Sequence, residues 1–299
     1  MKHAPLEVTL RQLQYVVTVA DARSFRRAAA LCGVSQPSLS AQVAEVEAAL
    51  GVQLFERDPR SVLVTAAGEE LVQRARAVLM GAEDLVEAAR RSNPLAGTLR
   101  LGVIPTIGPY LLPDLDPALR RTFPGLTLRW TEDKTHVLVD AIGRGELDAA
   151  VLALEAELGD LTHEVIARDP FVLATPPGHP LCAGPVCGRD LRGETVLLLD
   201  DGHCFREQAL SLCASAGARE LGFRATSLAT LAQMVAGGAG VTLLPRMAVE
   251  VENRRGRLAI TPLTDAPGRT VVLAWRPRSA LGAALARVAA AAREELGSR

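Results

Sequence analysis

The sequence predicts an α/β domain of two subdomains, preceded by a small all-α head with a β-wing and by one long helix. Three observations carry that expectation. Residues 8–65 hold three helical patterns, each opened by a capping residue, and a short hairpin pattern. Residues 66–92 repeat apolar positions at alternating spacings of four and three. From residue 97 onward, short apolar strands alternate with helices, which is the α/β signature.

In the head, Leu10, Leu13, Val16, Val17 and Ala20 fall on one helical face. Ser24 caps a second helix, Phe25 to Leu31. Ala28, Ala29 and Ala30 keep that helix slim, so another can cross it closely. Gly33 stands where a tight turn needs a permissive backbone. Ser35 caps a third helix with Pro37 in its first turn, where no donor is lost. Leu39, Val43, Val46 and Leu50 form its buried stripe. Its early outward positions carry Gln36, Ser38, Ser40 and Gln42, short hydrogen-bonding groups suited to base edges and phosphates. Leu54 to Arg57 and Arg60 to Thr65 form the wing. The whole reads as a winged helix-turn-helix. Ser35, Gln36 and Ser38 would equally serve to cap a surface helix. Charge does not decide it, since residues 1–65 hold seven basic and six acidic groups. Placement favours DNA, because Arg23, Arg26 and Arg27 cluster and so do Arg57 and Arg60.

Thr65 caps a long helix through about residue 91. Leu71, Ala75, Val78, Ala82, Leu85 and Ala89 repeat at 4, 3, 4, 3, 4, a heptad seam. The seam suits dimerisation through a linker over 66–92, or packing on its own domain. Asn93-Pro94-Leu95-Ala96-Gly97 ends the helix.

The α/β part, 97–299, reads as strands Thr98–Ile104, Leu126–Thr131, Leu147–Leu154, Phe171–Ala174, Thr195–Leu199, Gly222–Thr226, Gly240–Leu244 and Thr270–Ala274. Helices fall at Gly108–Arg121, Thr135–Gly143 and Ser227–Ala236. About 200 residues suit two subdomains with a cleft between them. The junction Pro105 to Tyr110 would set helix-start donors at the cleft mouth.

Composition bounds the function. The 299 residues are 48% hydrophobic and 22% charged with formal net charge −1, so any DNA binding must be local. The N-terminus lacks an apolar signal core, and no 18-residue uncharged apolar run suggests a membrane span, which points to the cytoplasm. Five cysteines (Cys32, Cys182, Cys187, Cys204, Cys213) in a reducing compartment argue against a static disulfide framework. With no CxxC pair and no His at ligand spacing, neither metal nor cofactor is expected.

Cys204 and Cys213 stand out. They are nine positions apart (213 − 204) in a helix-like run. In a helix their Cα atoms lie about 13 Å apart along the axis, whereas a disulfide needs roughly 7 Å or less. A pair separate when reduced and bonded when oxidised would be a switch that rebuilds its own helix. Cys204 sits at the helix start, beside His203 and near Arg206, and all three features favour thiolate. Thiolate is the form that attacks a peroxide. Both residues would otherwise be packing cysteines.

Residues 8–65 resemble the LysR-type transcriptional regulators. The matching pieces are Leu13 to Val19, Ser24-Phe25 with Ala28-Ala29, Val34 to Ser40, Leu50-Gly51, Leu54 to Arg57 and Thr65 to Gly68. Ile104 to Pro113, Leu198 to Cys204 with Cys213, Ala216 to Ala218, Phe223 to Leu228 and Gly240 to Pro245 resemble the peroxide-sensing branch of that family. The resemblance implies a periplasmic-binding-protein-like effector domain. Its chain would cross near Asp169 and return near Trp275, giving subdomain I (97–168, 275–299) and subdomain II (169–274). It implies that Ser35 caps a recognition helix whose Gln36, Pro37, Ser38, Ser40 and Gln42 face the major groove, with Arg57 and Arg60 near phosphates. It implies that Cys204 is the peroxidatic residue and Cys213 the resolving one, that Thr106, Thr135 and His203 hold peroxide, and that Arg276 steadies the thiolate or the leaving oxygen.

The expected function is therefore a non-enzymatic regulator of oxidative-stress genes. Its partners would be double-stranded promoter DNA, further copies of itself (dimer, then tetramer), RNA polymerase, and a glutaredoxin- or thioredoxin-type reductant. Hydrogen peroxide would be the signal. The alternative is a regulator activated by a metabolite in the same cleft. A thiol peroxidase leaves residues 8–65 without a purpose. Cys182 and Cys187, in a Gly- and Pro-rich loop, would form a competing disulfide or stay as surface thiols, and Cys32 is expected to be buried.

Overall fold

A computed structural model of the chain describes residues 7–57, 62–90, 95–264 and 267–297, with side chains at all of these except 57, 84, 87–90 and 211–216. The chain divides into two compact units, 1–92 and 93–299.

The first unit contains α1 (Leu10–Ala22), α2 (Phe25–Cys32), α3 (Gln36–Leu50), β1 (Phe55–Arg57), β2 (Val62–Val64) and α4 (Ala66–Arg90). Local chemistry starts and stops each helix. Thr9 and Gln12 form a reciprocal capping box, and Ser24 and Ser35 accept from the amides of Arg27 and Ser38. Gly33 (φ +66°) and Gly51 (φ +65°) close α2 and α3 in the left-handed region that favours glycine. The Glu47 carboxylate accepts from the amides of Leu54 (2.8 Å) and Phe55 (3.1 Å), tying α3 to the antiparallel wing β1–β2.

The core of this unit is Tyr15, Val16, Val19, Phe25, Ala28, Leu39, Val43, Val46, Leu54 and Phe55. The face of α1 differs from the sequence expectation. Leu10 is 50% exposed, and Leu13, Val17 and Ala20 are half-buried. Val16 points inward as expected, but it does so with Gln12, Tyr15 and Val19. Gln12 can be buried because its amide is paired on both sides, accepting from Thr9 and donating to Glu45 at 3.1 Å. Leu50 is likewise exposed, at the end of α3 beside Gly51. Cys32 is half-buried, not enclosed.

Thr65 caps α4, its hydroxyl accepting from Gly68 N at 2.9 Å. Val72 and Ala75 are buried against this head, while Val78, Leu85 (72% exposed) and Val86 lie open.

The second unit contains β3 (Gly97–Val103), α5 (Gly108–Thr122), β4 (Leu126–Glu132), α6 (Thr135–Gly143), β5 (Ala149–Ala153), β6 (Thr162–Thr175), β7 (Thr195–Leu199), α7 (Cys204–Ala216), β8 (Arg219–Ala225), α8 (Leu228–Ala236), β9 (Thr242–Pro245), α9 (Val249–Glu252), β10 (Ala259–Pro262), β11 (Gly268–Trp275) and α10 (Gly282–Gly297). The large sheet runs β10-β6-β11-β5-β3-β4, with β9 also on β6, and β7-β8 form a parallel pair. Strands β3, β4 and β5 are parallel, and β11 is antiparallel to β5 and β6.

Two hydrophobic cores result. One gathers β3, β5 and β11 with α5, α6 and α10, and the other gathers β7, β9, α8 and the far end of β6. Strand β6 joins them. Its residues 162–170 pair with β11, and its residues 171–175 pair with β9 and β10. The change of partner falls between Pro170 and Phe171, close to Asp169. The return comes at Gly268, not near Trp275, because all of β11 is laddered to the first subdomain. The first half of β6 and all of β10 were absent from the sequence reading. Thr162 to Arg168 carries mostly polar, exposed residues and gives little apolar signal.

Gly240 (φ +145°) lies where a Cβ would stand 2.4 Å from the Thr195 carbonyl oxygen. That carbonyl accepts from Val241 N, the contact joining β7 to the segment before β9. Gly240→Ala should destabilise the chain by about 2 kcal/mol or more, read as a fall in the urea midpoint. An unchanged midpoint would show that β7 tolerates displacement there.

Candidate functional site

The site lies where the two cores of the second unit meet. Cys204, the first residue of α7, is 9% exposed and packs with the first core, while its neighbour Phe205 packs in the second. The thiol therefore sits at the seam between subdomains.

Below it lies an enclosed polar network. Arg269, at the start of β11, is fully buried. Its Nε and Nη2 each lie 3.0 Å from Asp169 Oδ2. Its Nη1 donates to Thr106 Oγ1 at 2.7 Å and its Nη2 to the Thr106 carbonyl at 2.8 Å. Its guanidinium stands 5.9 Å from the Phe205 ring centroid. Burial lifts Asp169 above the ordinary carboxylate range, against the pull of Arg269 and the Met247 and Arg246 amides. Phe205 also meets Phe171 edge-on at 5.1 Å. Asp169, Thr106, Phe205 and Arg269 are thus one packed unit directly beside the thiol.

Thr135, the first residue of α6, faces the sulfur. Its buried hydroxyl has no nitrogen or oxygen partner among the described residues, and it favours the Cys204 thiolate. A hydroxyl so placed is able to bond a small polar molecule.

Burial pushes the Cys204 thiol up, and this outweighs the opposite pull of the Thr135 hydroxyl, Arg269 and the Phe205 amide. The expectation of a ready thiolate is corrected on this point. His203 does not supply a positive charge, because burial and nearby Lys134 lower its pKa despite Asp200. Arg206 keeps its charge, but its guanidinium is already engaged by Asp201 (2.9 Å), the Leu199 carbonyl (3.1 Å) and Glu220 (2.9 Å).

The loop before Cys204 is tied down from three sides. Arg206 and Arg224 both hold the Asp201 carboxylate, and Lys134 Nζ donates to the Asp201 carbonyl at 2.7 Å. Lys134 precedes α6, so this bond spans the two subdomains. Tyr110 makes a second tie, donating to Glu252 at 2.7 Å from α5 to α9. Burial and Glu252 raise the Tyr110 pKa, so the phenol keeps its proton.

Arg276 is not at this site. It lies beyond the far end of β11, roughly 23 Å along the strand from Arg269. Its Nη1 donates to the carbonyls of Ile142 (3.1 Å) and Leu147 (3.0 Å), where it serves the fold around α6. The guanidinium beside the sulfur is Arg269, which sequence reasoning passed over, as it did Lys134. The usable signal was a charged residue at the head of an apolar strand run, Arg269 before Thr270 to Trp275, and Asp169 ahead of Phe171 to Ala174.

Position 213 lies on α7, about two and a half turns from position 204. The two positions therefore stand on opposite sides of the helix axis as well as far apart along it. The Cys213 side chain is outside the described residues. Cys182 and Cys187 are free and held by separate partners. Cys182 Sγ lies 3.0 Å from Thr175 Oγ1, while Cys187 Sγ accepts from Arg189 Nε (3.1 Å) and donates to Asp190 (3.0 Å).

On the first unit, Gln36, Pro37 and Ser38 are exposed at the start of α3, and Ser40 and Gln42 are half-buried. The Gln42 amide donates to Glu45 at 2.9 Å. Ser35 caps the helix. Arg57 belongs to β1 with its side chain outside the described residues, and Arg60 lies outside them altogether. Among the described residues, no group of His, Cys, Asp or Glu could hold a metal, and no helix is long and apolar enough to cross a membrane.

Comparison with known proteins covers both units. Residues 10–69 match the family of bacterial regulatory helix-turn-helix proteins of lysR type, and residues 92–297 match the LysR substrate binding domain. The chain is 43% identical over 293 residues to the hydrogen peroxide-inducible genes activator of Pectobacterium carotovorum subsp. carotovorum, covering 97% of each chain. It is 44% identical over 294 residues to the DNA-binding transcriptional dual regulator OxyR of Escherichia coli (strain K12), covering 97% of this chain and 96% of that one. A full-length OxyR variant from Pseudomonas aeruginosa has a similar structure, with TM-score 0.78, 38% identity and coverage of 97% and 96%. The oxidised form of an OxyR matches with TM-score 0.63 and 42% identity, covering 69% of this chain and 98% of that one.

A buried thiol with a raised pKa should alkylate slowly at neutral pH. The iodoacetamide rate at Cys204, followed by peptide mass spectrometry, should rise with a midpoint above the ordinary value of about 8.5. Thr135→Val removes a group that favours thiolate, so it should move the midpoint higher still. A midpoint at or below that of a free thiol would contradict this account of the site.

Proposed function

This chain belongs to the LysR family of bacterial transcription regulators, and from that membership we propose that it is a peroxide-responsive activator signalled by a reversible Cys204–Cys213 disulfide. The observation that carries the reading is the thiol itself. Cys204 is enclosed at a seam between subdomains, beside a buried hydroxyl that lacks a nitrogen or oxygen partner. Such a pocket suits a small, neutral, hydrogen-bonding oxidant.

In the first step the Cys204 proton leaves, with neutral His203 next in the chain as an acceptor. The sulfur attacks one peroxide oxygen and the O–O bond breaks. The departing hydroxide takes a proton and becomes water, leaving Cys204 as the sulfenic acid. Thr135 and Thr106 hold the peroxide by their hydroxyls, and buried Arg269 fixes Thr106 and attracts the developing negative charge. In the second step the Cys213 sulfur attacks the sulfenic sulfur and a second water leaves. Overall one peroxide is reduced to two waters and two thiols are oxidised to a disulfide. Positions 204 and 213 cannot meet on an intact helix, so closure requires α7 to unwind.

The unwinding would be read out at DNA. Gln36, Pro37, Ser38, Ser40 and Gln42 would face the major groove, with Ser35 as cap and Arg57 and Arg60 near phosphates. The exposed apolar positions Val78, Leu85 and Val86 on α4 fit a second copy of the chain, which makes 66–92 a dimerising linker. Two heads then read two half-sites, and a pair of dimers makes the tetramer. Promoter DNA, RNA polymerase and a glutaredoxin- or thioredoxin-type reductant complete the cycle in the cytoplasm. The protein is a sensor, not a turnover enzyme, and its named relatives are regulators.

One equivalent of hydrogen peroxide added to reduced protein should yield a Cys204–Cys213 linked peptide that Cys204→Ser abolishes. Free Cys204 and Cys213 after that treatment would sink the reading and return the search to a metabolite in the cleft. At the DNA end, Gln36→Ala should weaken operator binding by about 1–3 kcal/mol and leave non-specific binding unchanged. Equal loss on all sequences would place Gln36 outside base readout.

A further inference from the structure

Gln208 stands one helical turn after Cys204 on α7. Residues four apart share a helix face, with Cβ atoms about 5–6 Å from each other. Its neighbours Phe205 and Ala209 are both buried in the second core. Gln208 itself is half-buried, with its amide end turned away from solvent. Its Oε1 and Nε2 are both hidden from solvent, and neither has a hydrogen-bond partner among the described residues. A primary amide brings two donors and an acceptor. Burying these without partners sacrifices their bonds to water and gains nothing in return.

The rest of this helix start behaves otherwise. Arg206 is paired three times, and the Asp201 carboxylate is held by two arginines. The unpaired amide thus falls on the stretch between positions 204 and 213 that must lose its helical form for the two sulfurs to meet. Unwinding would let the amide reach water or backbone groups. A cost present only in the reduced state is removed on closure.

We infer that Gln208 sets the redox poise of this switch: its unpartnered buried amide destabilises the intact α7 and so favours the Cys204–Cys213 disulfide over the dithiol. The inference rests on the disulfide reading proposed above and names the residue that tunes it. Gln208 is a positioning residue. It acts on the helix that carries the sulfur and not on the peroxide. Replacing it by an apolar residue of similar size stabilises the reduced helix, so the disulfide becomes easier to reduce.

The test uses the full-length chain as wild type, Gln208→Leu and Gln208→Met, each equilibrated in mixtures of reduced and oxidised dithiothreitol. Mass spectrometry then reads the fraction of Cys204–Cys213 linked peptide. Both substitutions should lower the equilibrium constant for closure by about tenfold, the scale of relieving a buried unpaired polar group. The melting temperature of the reduced form should rise and that of the oxidised form should not. Sulfenic acid formation at Cys204, trapped with dimedone in a Cys213→Ser background, should keep its rate. A plain packing role would move both melting temperatures together and leave the equilibrium constant where it was, which overturns the inference. Failure of both variants to fold would also overturn it, since the amide would then support the helix. If the wild type forms no Cys204–Cys213 disulfide in any mixture, the disulfide reading itself fails, and the inference with it.

Discussion

The buried ion pair between Arg269 and Asp169 is the constraint on which the second unit depends. Two charges in a closed interior cost several kcal/mol each to desolvate. Here the cost is offset by dense pairing. The guanidinium meets one carboxylate, one hydroxyl, one carbonyl and one aromatic face, and the carboxylate also accepts from Met247 N. Removing either member would strand the other, at about 3–5 kcal/mol. The pair sits where β6 passes from one core to the other and where β11 comes back. It therefore sets the relative placement of the two subdomains, and with it the depth at which Phe205, and hence Cys204, is held.

That depth explains the chemistry on offer. A thiol in apolar surroundings is a poor thiolate at neutral pH. Bulky or charged oxidants would have to pay a desolvation cost to reach it, whereas a small neutral molecule would not. The helix start that carries the thiol is nevertheless a place of competing demands. Lys134 and the Asp201 arginines hold the loop closed, while the Gln208 amide is left without a partner. A segment both tied and frustrated is suited to two discrete arrangements more than to gradual deformation.

The first unit works by simpler rules. Three capped helices and a wing are locked by Phe25 against Phe55, ring centroids 5.9 Å apart, and by Glu47 on the amides of the wing. Its functional surface is what packing leaves outside. The early positions of α3 are polar and open because its apolar stripe, Leu39, Val43 and Val46, is fully occupied. The open apolar positions of α4 begin at Val78, just past Arg76, which still pairs with Asp21 of α1.

Much of this was legible in the chain. The caps at Ser24, Ser35 and Thr65, the glycine turns, the parallel strands and the helices between them follow from local rules of backbone sterics and apolar period. The place of Cys204 at the start of a helix was also legible, although the expected activation by its neighbours was not met. The errors share one cause. The buried face of α1, the exposure of Leu50, the return at Gly268 and the first half of β6 depend on what packs against each segment, which no local pattern records. The exchange of Arg276 for Arg269 is the sharpest case. Both are arginines at ends of the same strand, and only the three-dimensional pairing sends one to the carbonyls of Ile142 and Leu147 and the other to Asp169 and Thr106. Local sequence determined which segments are helix, strand or turn, and that two cysteines share one helix, because those properties are set within a few residues. Only the tertiary structure decided that the thiol is buried, with its pKa raised by that burial, and which cation faces it, because desolvation and charge pairing act through space between strands that lie a hundred residues apart.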